Sequence, residues 1–139
     1  MTRNLFLTDL RGFANPAIAA HLAKAGARIV ACDPAIKADG VDNGVDVIGW
    51  DTPAELVAKA SSRFGGKLDG ILISPAMPAP RTPIEDLTIE ALMPYFQRIA
   101  AESLAFAGAA AKAMRPNKSG RIVFGTSSGH IGGIPGFAA

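Results

Sequence analysis

Five short apolar runs punctuate the chain, and apolar residues at helical spacing fill most of the stretches between them. The runs are Asn4–Thr8, Arg28–Cys32, Asp46–Trp50, Gly70–Ser74 and Gly120–Phe124. Continuous apolar segments of this length, ended by turn residues, suit strands buried on both faces, as in a parallel sheet. The first link opens with Asn15-Pro16: asparagine caps free backbone N–H groups and proline suits the first helical turn. Ile18, Leu22 and Ala25 follow on one helical face, and Gly26 closes the run. The second link, from Asp33 to Val45, is polar and glycine-containing and predicts only a connection. Thr52-Pro53-Ala54-Glu55 joins a cap, a first-turn proline and a capping-box glutamate, so a helix is expected to about Arg63. Pro75 to Pro83 is too rich in proline for helix or central strand. Helical patterning returns from about Thr88 to Met114, with Pro94 in its first turns or at a kink, and glycine-rich loop is expected after Gly125.

Strands alternating with helices predict an α/β fold: a doubly wound parallel sheet with helices on both faces. At 139 residues the chain makes one domain, or a piece of one. The balance of 14 basic and 12 acidic side chains, with no basic run, argues against a nucleic-acid partner. Cys32 is the single cysteine and has no internal disulfide partner. With no signal-type start and no apolar run of ~20 residues, no membrane partner is expected and the cytoplasm is the default location. No metal-ligand spacing occurs, so no metal site is expected.

In a doubly wound sheet the turn after the first strand meets the phosphates of a dinucleotide at a helix N-terminus. Here it reads Thr8-Asp-Leu-Arg-Gly12-Phe13-Ala-Asn15, with Gly12 alone where close backbone approach favours several glycines. Phe13 is either part of a ligand pocket or a core residue pinning the turn to the sheet. Asp33, ending the second strand, is either a ribose-binding carboxylate or a turn residue before Pro34. Asp51 reads as part of the helix cap beside Thr52. Ser74 ends the fourth strand, and the pair Ser127-Ser128 follows the fifth; serine at a strand end can donate to a substrate oxygen, or simply shape a loop. His130 reads as a loop residue, His21 as structural or solvated, and Cys32 as a small buried strand-end residue.

The stretch Thr8 to Asp33 resembles the Rossmann-like short-chain dehydrogenase/reductase superfamily, and within it the halohydrin dehalogenase branch. Thr8 and Phe13 match that branch's spacing of a threonine, four residues and an aromatic, while Asn15 stands where a glycine follows. Arg121-Ile-Val-Phe-Gly-Thr126-Ser127 is similar to the superfamily's strand and catalytic serine, which the resemblance places at Ser127. Ser74 matches a serine of the dehalogenase branch, although the Asn-Asn-Ala-Gly segment of superfamily oxidoreductases is replaced by Ser74-Pro-Ala-Met-Pro78. Ile99 lies near an asparagine position of those oxidoreductases, and the Asp33-to-Asp51 connection is shorter than the family's. The resemblance implies a halide pocket with Phe13 and Ser74, or a nicotinamide cofactor touched by Thr8, Asp33 and Asp51. It also implies a catalytic tyrosine thirteen residues past Ser127, at position 140, beyond Ala139.

Three functions follow as expectations. In the first the chain is the front part of a lyase that turns vicinal haloalcohols into epoxides and halide without cofactor. In the second it belongs to an NAD- or NADP-dependent oxidoreductase acting on a carbonyl or alcohol. In the third it is an inactive nucleotide-binding or interaction module. A small-molecule substrate and a homo-oligomer are implied for the complete enzyme, with the sheet incomplete on its C-terminal side and the 139-residue chain inactive alone.

Overall fold

The computed structural model describes residues 2–77 and 82–126. Six strands form one sheet: β1 (Asn4–Leu7), β2 (Arg28–Ala31), β3 (Gly40–Asp42), β4 (Val45–Val47), β5 (Gly70–Ile73) and β6 (Arg121–Phe124). Their order is β3-β4-β2-β1-β5-β6, parallel throughout except for the antiparallel β3–β4 pair. This is the predicted Rossmann-like α/β architecture, and all five apolar runs contribute a strand.

The helices behave as their local sequence dictates, with two corrections. α1 (Asn15–Lys24) ends in a Schellman motif. Gly26 takes a positive φ of 87°, its N–H bonds Ala23 O, and the Ala27 N–H bonds Leu22 O. Asn15, however, is not its cap. It is the first helical residue, and its side chain turns inward, as described below. α2 (Pro53–Arg63) follows the expected bounds, with Thr52 Oγ1 accepting the Glu55 N–H at 3.4 Å. The long segment expected as one helix divides in two. α3 (Ile89–Tyr95), capped by Thr88, leads into a π-helical stretch, Phe96–Ala101, and then α4 (Glu102–Met114). Pro94 lies inside α3 and withholds one N–H from the ladder, and the widened winding begins two residues later.

The third run was expected over Asp46–Trp50, but β4 covers Val45–Val47, and the connection before it holds the unexpected strand β3. Asn43 and Gly44, both at positive φ (49° and 79°), make the two-residue turn of this hairpin. Each strand is only three residues long, so neither shows a period by itself.

The two faces of the sheet are covered unequally. On one, Phe6, Val30, Ile48, Ile71 and Ile73 pack against Leu56, Val57 and Ala60 of α2 and Phe106, Ala110 and Met114 of α4. Phe106 reaches the centre, its ring 6.2 Å from Phe6 and 6.3 Å from Trp50. On the other, α1 packs its Ala19 with Leu7, Ala31, Val45 and Val47, and toward β5 and β6 an apolar groove of about 560 Å³ runs past Leu5, Leu22, Leu72 and Val123. None of the described helices is long and apolar enough to cross a membrane.

Candidate functional site

Helices reached from β1 and from β5 lead to opposite sides along the sheet, so the strand order reverses between these two neighbours. In an open α/β sheet a crevice forms outside the carboxyl ends of strands at such a point. The residues gathered there are the turn after β1, the first residue of α1, the ends of β2 and β5, and the π-helical stretch.

Thr8 is buried and joins the two strands: its N–H bonds Leu72 O at 3.0 Å, and its Oγ1 accepts the Ser74 N–H at 3.2 Å. Asn15 is buried beneath the turn. Its Nδ2 donates to Asp9 O at 2.8 Å, Thr8 O at 3.1 Å and Ser74 O at 3.3 Å, tying both strand ends to α1. Gly12 permits the two loops to touch, because a β-carbon there would lie 2.5 Å from Ala76 Cβ.

Asp33 clamps the same turn. One oxygen accepts the Arg11 N–H at 2.8 Å and the other the Ala35 N–H at 2.9 Å, so of its two sequence readings the geometry matches the turn residue. Asp51 stands apart on the surface. It accepts the Thr52 N–H at 2.8 Å and pairs with Lys59 at 2.9 Å, and the Lys59 hydrogen bond holds its carboxyl below the usual range. Phe13 is fully exposed, which overturns the core alternative: nothing among the described residues covers its ring. Ser74 is half-buried and lies against the end of β6, where a β-carbon on Gly125 would sit 2.6 Å from its Oγ. Ser127, Ser128 and His130 lie outside the described residues, as does Pro78. His21 is exposed on α1, and Cys32 is buried, its thiol pushed up first by burial and then by the charge of Asp9.

Two residues that the sequence reading did not single out sit at the centre. Asp9 follows Thr8 with a positive φ of 53°, and its carboxylate is buried. Its Oδ1 accepts from Arg98 and from the Ala76 N–H at 3.4 Å, while its Oδ2 is buried without a partner among the described residues. Burial pushes the Asp9 carboxyl up from its ordinary value, and the Arg98 guanidinium opposes that shift. Arg98 projects from the π-helical stretch, bonds Glu102 at 2.7 Å and lies 4.8 Å above the Trp50 ring. The available signals were a charge in the strand-end turn and a lone cation amid the apolar stretch from Leu92 to Ala101.

The turn does not fit a dinucleotide. A pyrophosphate is held by free N–H groups and close glycine backbone. Here the N–H groups of Leu10, Arg11, Gly12 and Asn15 bond Cys32 O, Asp33, Asp9 O and Gly12 O respectively, and a carboxylate lies beneath them. Among the described residues no group of three or more His, Cys, Asp or Glu side chains is placed to hold a metal ion.

Sheet order and helix placement define a Rossmann-like doubly wound α/β domain. No protein-family model matches the chain, and no curated protein sequence matches it. Solved structures do. A protein described as a dehalogenation enzyme matches with a TM-score of 0.86 at 26% identity, over 99% of this chain and 59% of its own. A halohydrin dehalogenase bound to ethyl (2S)-oxiran-2-ylacetate matches with a TM-score of 0.84 at 21% identity, over 96% of this chain and 56% of its own. A Serratia marcescens short-chain dehydrogenase/reductase matches with a TM-score of 0.72 at 22% identity, over 88% of this chain and 56% of its own. An NADH-dependent reductase complexed with NAD is a further structural neighbour. The chain has the fold seen in these dehalogenase and short-chain dehydrogenase/reductase structures. It spans less than two thirds of the length of these structures.

Proposed function

We propose that this chain belongs to a halohydrin dehalogenase-like lyase that converts a vicinal haloalcohol, a small-molecule substrate, to an epoxide and halide without a nicotinamide cofactor. The observation that carries the reading is the turn after β1, where the N–H groups of Leu10, Arg11, Gly12 and Asn15 are bonded within the chain and Phe13 stands exposed instead of glycine. Support also comes from the dehalogenase structures that share the fold. In this reading Ser127 donates a hydrogen bond to the substrate oxygen, and the phenolate of the tyrosine expected at position 140 takes the hydroxyl proton and becomes the phenol. The alkoxide electron pair closes on the neighbouring carbon as the carbon–halogen bond breaks, and the halide leaves toward a pocket bearing Phe13 and Ser74. A second reading, an NAD(P)-dependent oxidoreductase, draws on the reductases of the same fold that carry NADP or NAD.

The test uses the chain carried through the expected phenol and its basic partner. Bromide release from a vicinal bromoalcohol without added cofactor is the expected result, falling roughly 10²-fold or more in Ser127→Ala. Phe13→Ala should weaken bromide binding. Saturable NADH binding with carbonyl reduction and no bromide release would replace the lyase with the oxidoreductase.

A further inference from the structure

The Asp9–Arg98 pair has a part that the proposed lyase chemistry does not use. Arg98 is a buried-side arginine, its side chain 12% exposed, held in place by the Trp50 ring and by Glu102. A guanidinium so fixed, beside the backbone N–H of Ala76, has the donor geometry with which proteins hold carboxylates and phosphates. The group it holds is the chain's own. Asp9 stands directly after the strand-ending Thr8, at the first position of the turn, where a dinucleotide-binding fold uses glycine to turn the chain sharply beside the phosphate site. Its left-handed backbone, φ 53°, is one that glycine adopts without cost and that aspartate tolerates better than most side chains. The site is imperfectly built for a carboxylate, since Oδ2 is buried with no donor facing it among the described residues.

We propose that Asp9 is the specificity-determining residue of this crevice: its carboxylate occupies an anion-binding position formed by Arg98 and the Ala76 N–H, and so excludes nucleotide phosphates. The inference rests on the reading of the β1–β5 crevice as the ligand site, but not on the haloalcohol chemistry. Arg98 is then a latent anion receptor. Removing the Asp9 side chain frees both donors, and an external phosphate group takes the vacated place. The exclusion is local, so it requires neither Phe13 nor the residues beyond Phe124.

Binding of ADP and of NADH to the 139-residue chain, measured by calorimetry and by nicotinamide fluorescence, tests this directly. Asp9→Gly relieves the backbone and removes the carboxylate. Asp9→Asn keeps the shape and removes the charge, and decides the matter if the glycine variant fails to fold. The native chain should show no saturable binding at millimolar ligand. Either variant, with its native circular dichroism retained, should gain saturable ADP binding, tighter by roughly tenfold or more than the native chain. Adding Arg98→Ala to the variant should abolish the gain. If folded Asp9→Asn and Asp9→Gly bind ADP no better than the native chain, or if the gain survives Arg98→Ala, the proposal is wrong. Native binding as tight as the variants' would equally overturn it. These outcomes are independent of bromide release, so a failure here leaves the lyase reading standing, and a failure there leaves this one standing.

Discussion

The turn after β1 and the end of β6 lie at the same carboxyl edge of one sheet, yet they are built on opposite terms. At the first, Thr8, Asp9 and Asn15 are buried, and Thr8 and Asn15 hydrogen-bond both strand ends. At the second, Val123 and Phe124 are 51% and 53% exposed, and β6 has a partner strand on one side only among the described residues. The contrast separates two duties of such a crevice. The turn bonds the N–H groups of Leu10, Arg11, Gly12 and Asn15 within the chain. The β6 end leads toward Ser127, in a chain that spans less than two thirds of the length of the structures it matches.

Breaking the occupied turn should have the largest effect. Asn15→Ala removes a donor shared by three carbonyls and leaves them buried, at an expected cost of about 3 kcal/mol, read as a lowered denaturant midpoint with unchanged slope. A shift as small as that of a surface substitution would mean that water serves these carbonyls and that the turn is less closed than described.

The pH dependence of the same turn is smaller and carries a definite sign. Burial raises the folded-state pKa of Asp9 above its ordinary 3.8, so the folded chain binds this proton more tightly than the unfolded chain does. The stability contributed by protonated Asp9 is therefore fully present below pH 3.8 and is lost as pH rises through the raised folded value. Asp39 runs the other way: the Gly49 N–H it accepts, with Arg63 beside it, lowers its pKa, and its contribution is lost as pH falls. Subtracting the thermal stability of Asp9→Asn from that of the native chain isolates Asp9. The difference should decline from acid toward neutral pH, and parallel curves would show that Arg98 cancels the burial in full.

The smallest effect belongs to the open end. Phe124→Thr keeps a residue that favours strands and gives up a side chain already half in solvent, so it should cost less than about 1 kcal/mol in this chain. A loss matching that of Asn15→Ala would show that the β6 end is as tightly built as the turn, and would erase the contrast.

Much of the fold was legible before any coordinates because its signals are local. Four-residue apolar strands, the Thr52–Glu55 cap and the Gly26 stop each act through neighbours within a few residues, and each appears where expected. The resemblance at Thr8 and Arg121–Phe124 likewise fell on two strands, β1 and β6, that flank β5 in the sheet. What the sequence could not settle depended on partners distant in the chain. The β3–β4 hairpin is too short to show a period, although its Asn43-Gly44 turn was there to be read. Phe13, an aromatic that hydropathy alone would bury, is left in solvent by the path of its turn. Asp33 became a clamp only when Arg11, 22 residues away, was brought against it. Asp9 met Arg98 across 89 residues, because sheet order sets β1 beside β5 and the winding after Pro94 turns the arginine inward. Local pattern determines which element a residue joins, since hydrogen bonding and apolar spacing act over a few residues. The charge that a buried carboxylate meets is decided by tertiary packing, because it depends on which elements become neighbours.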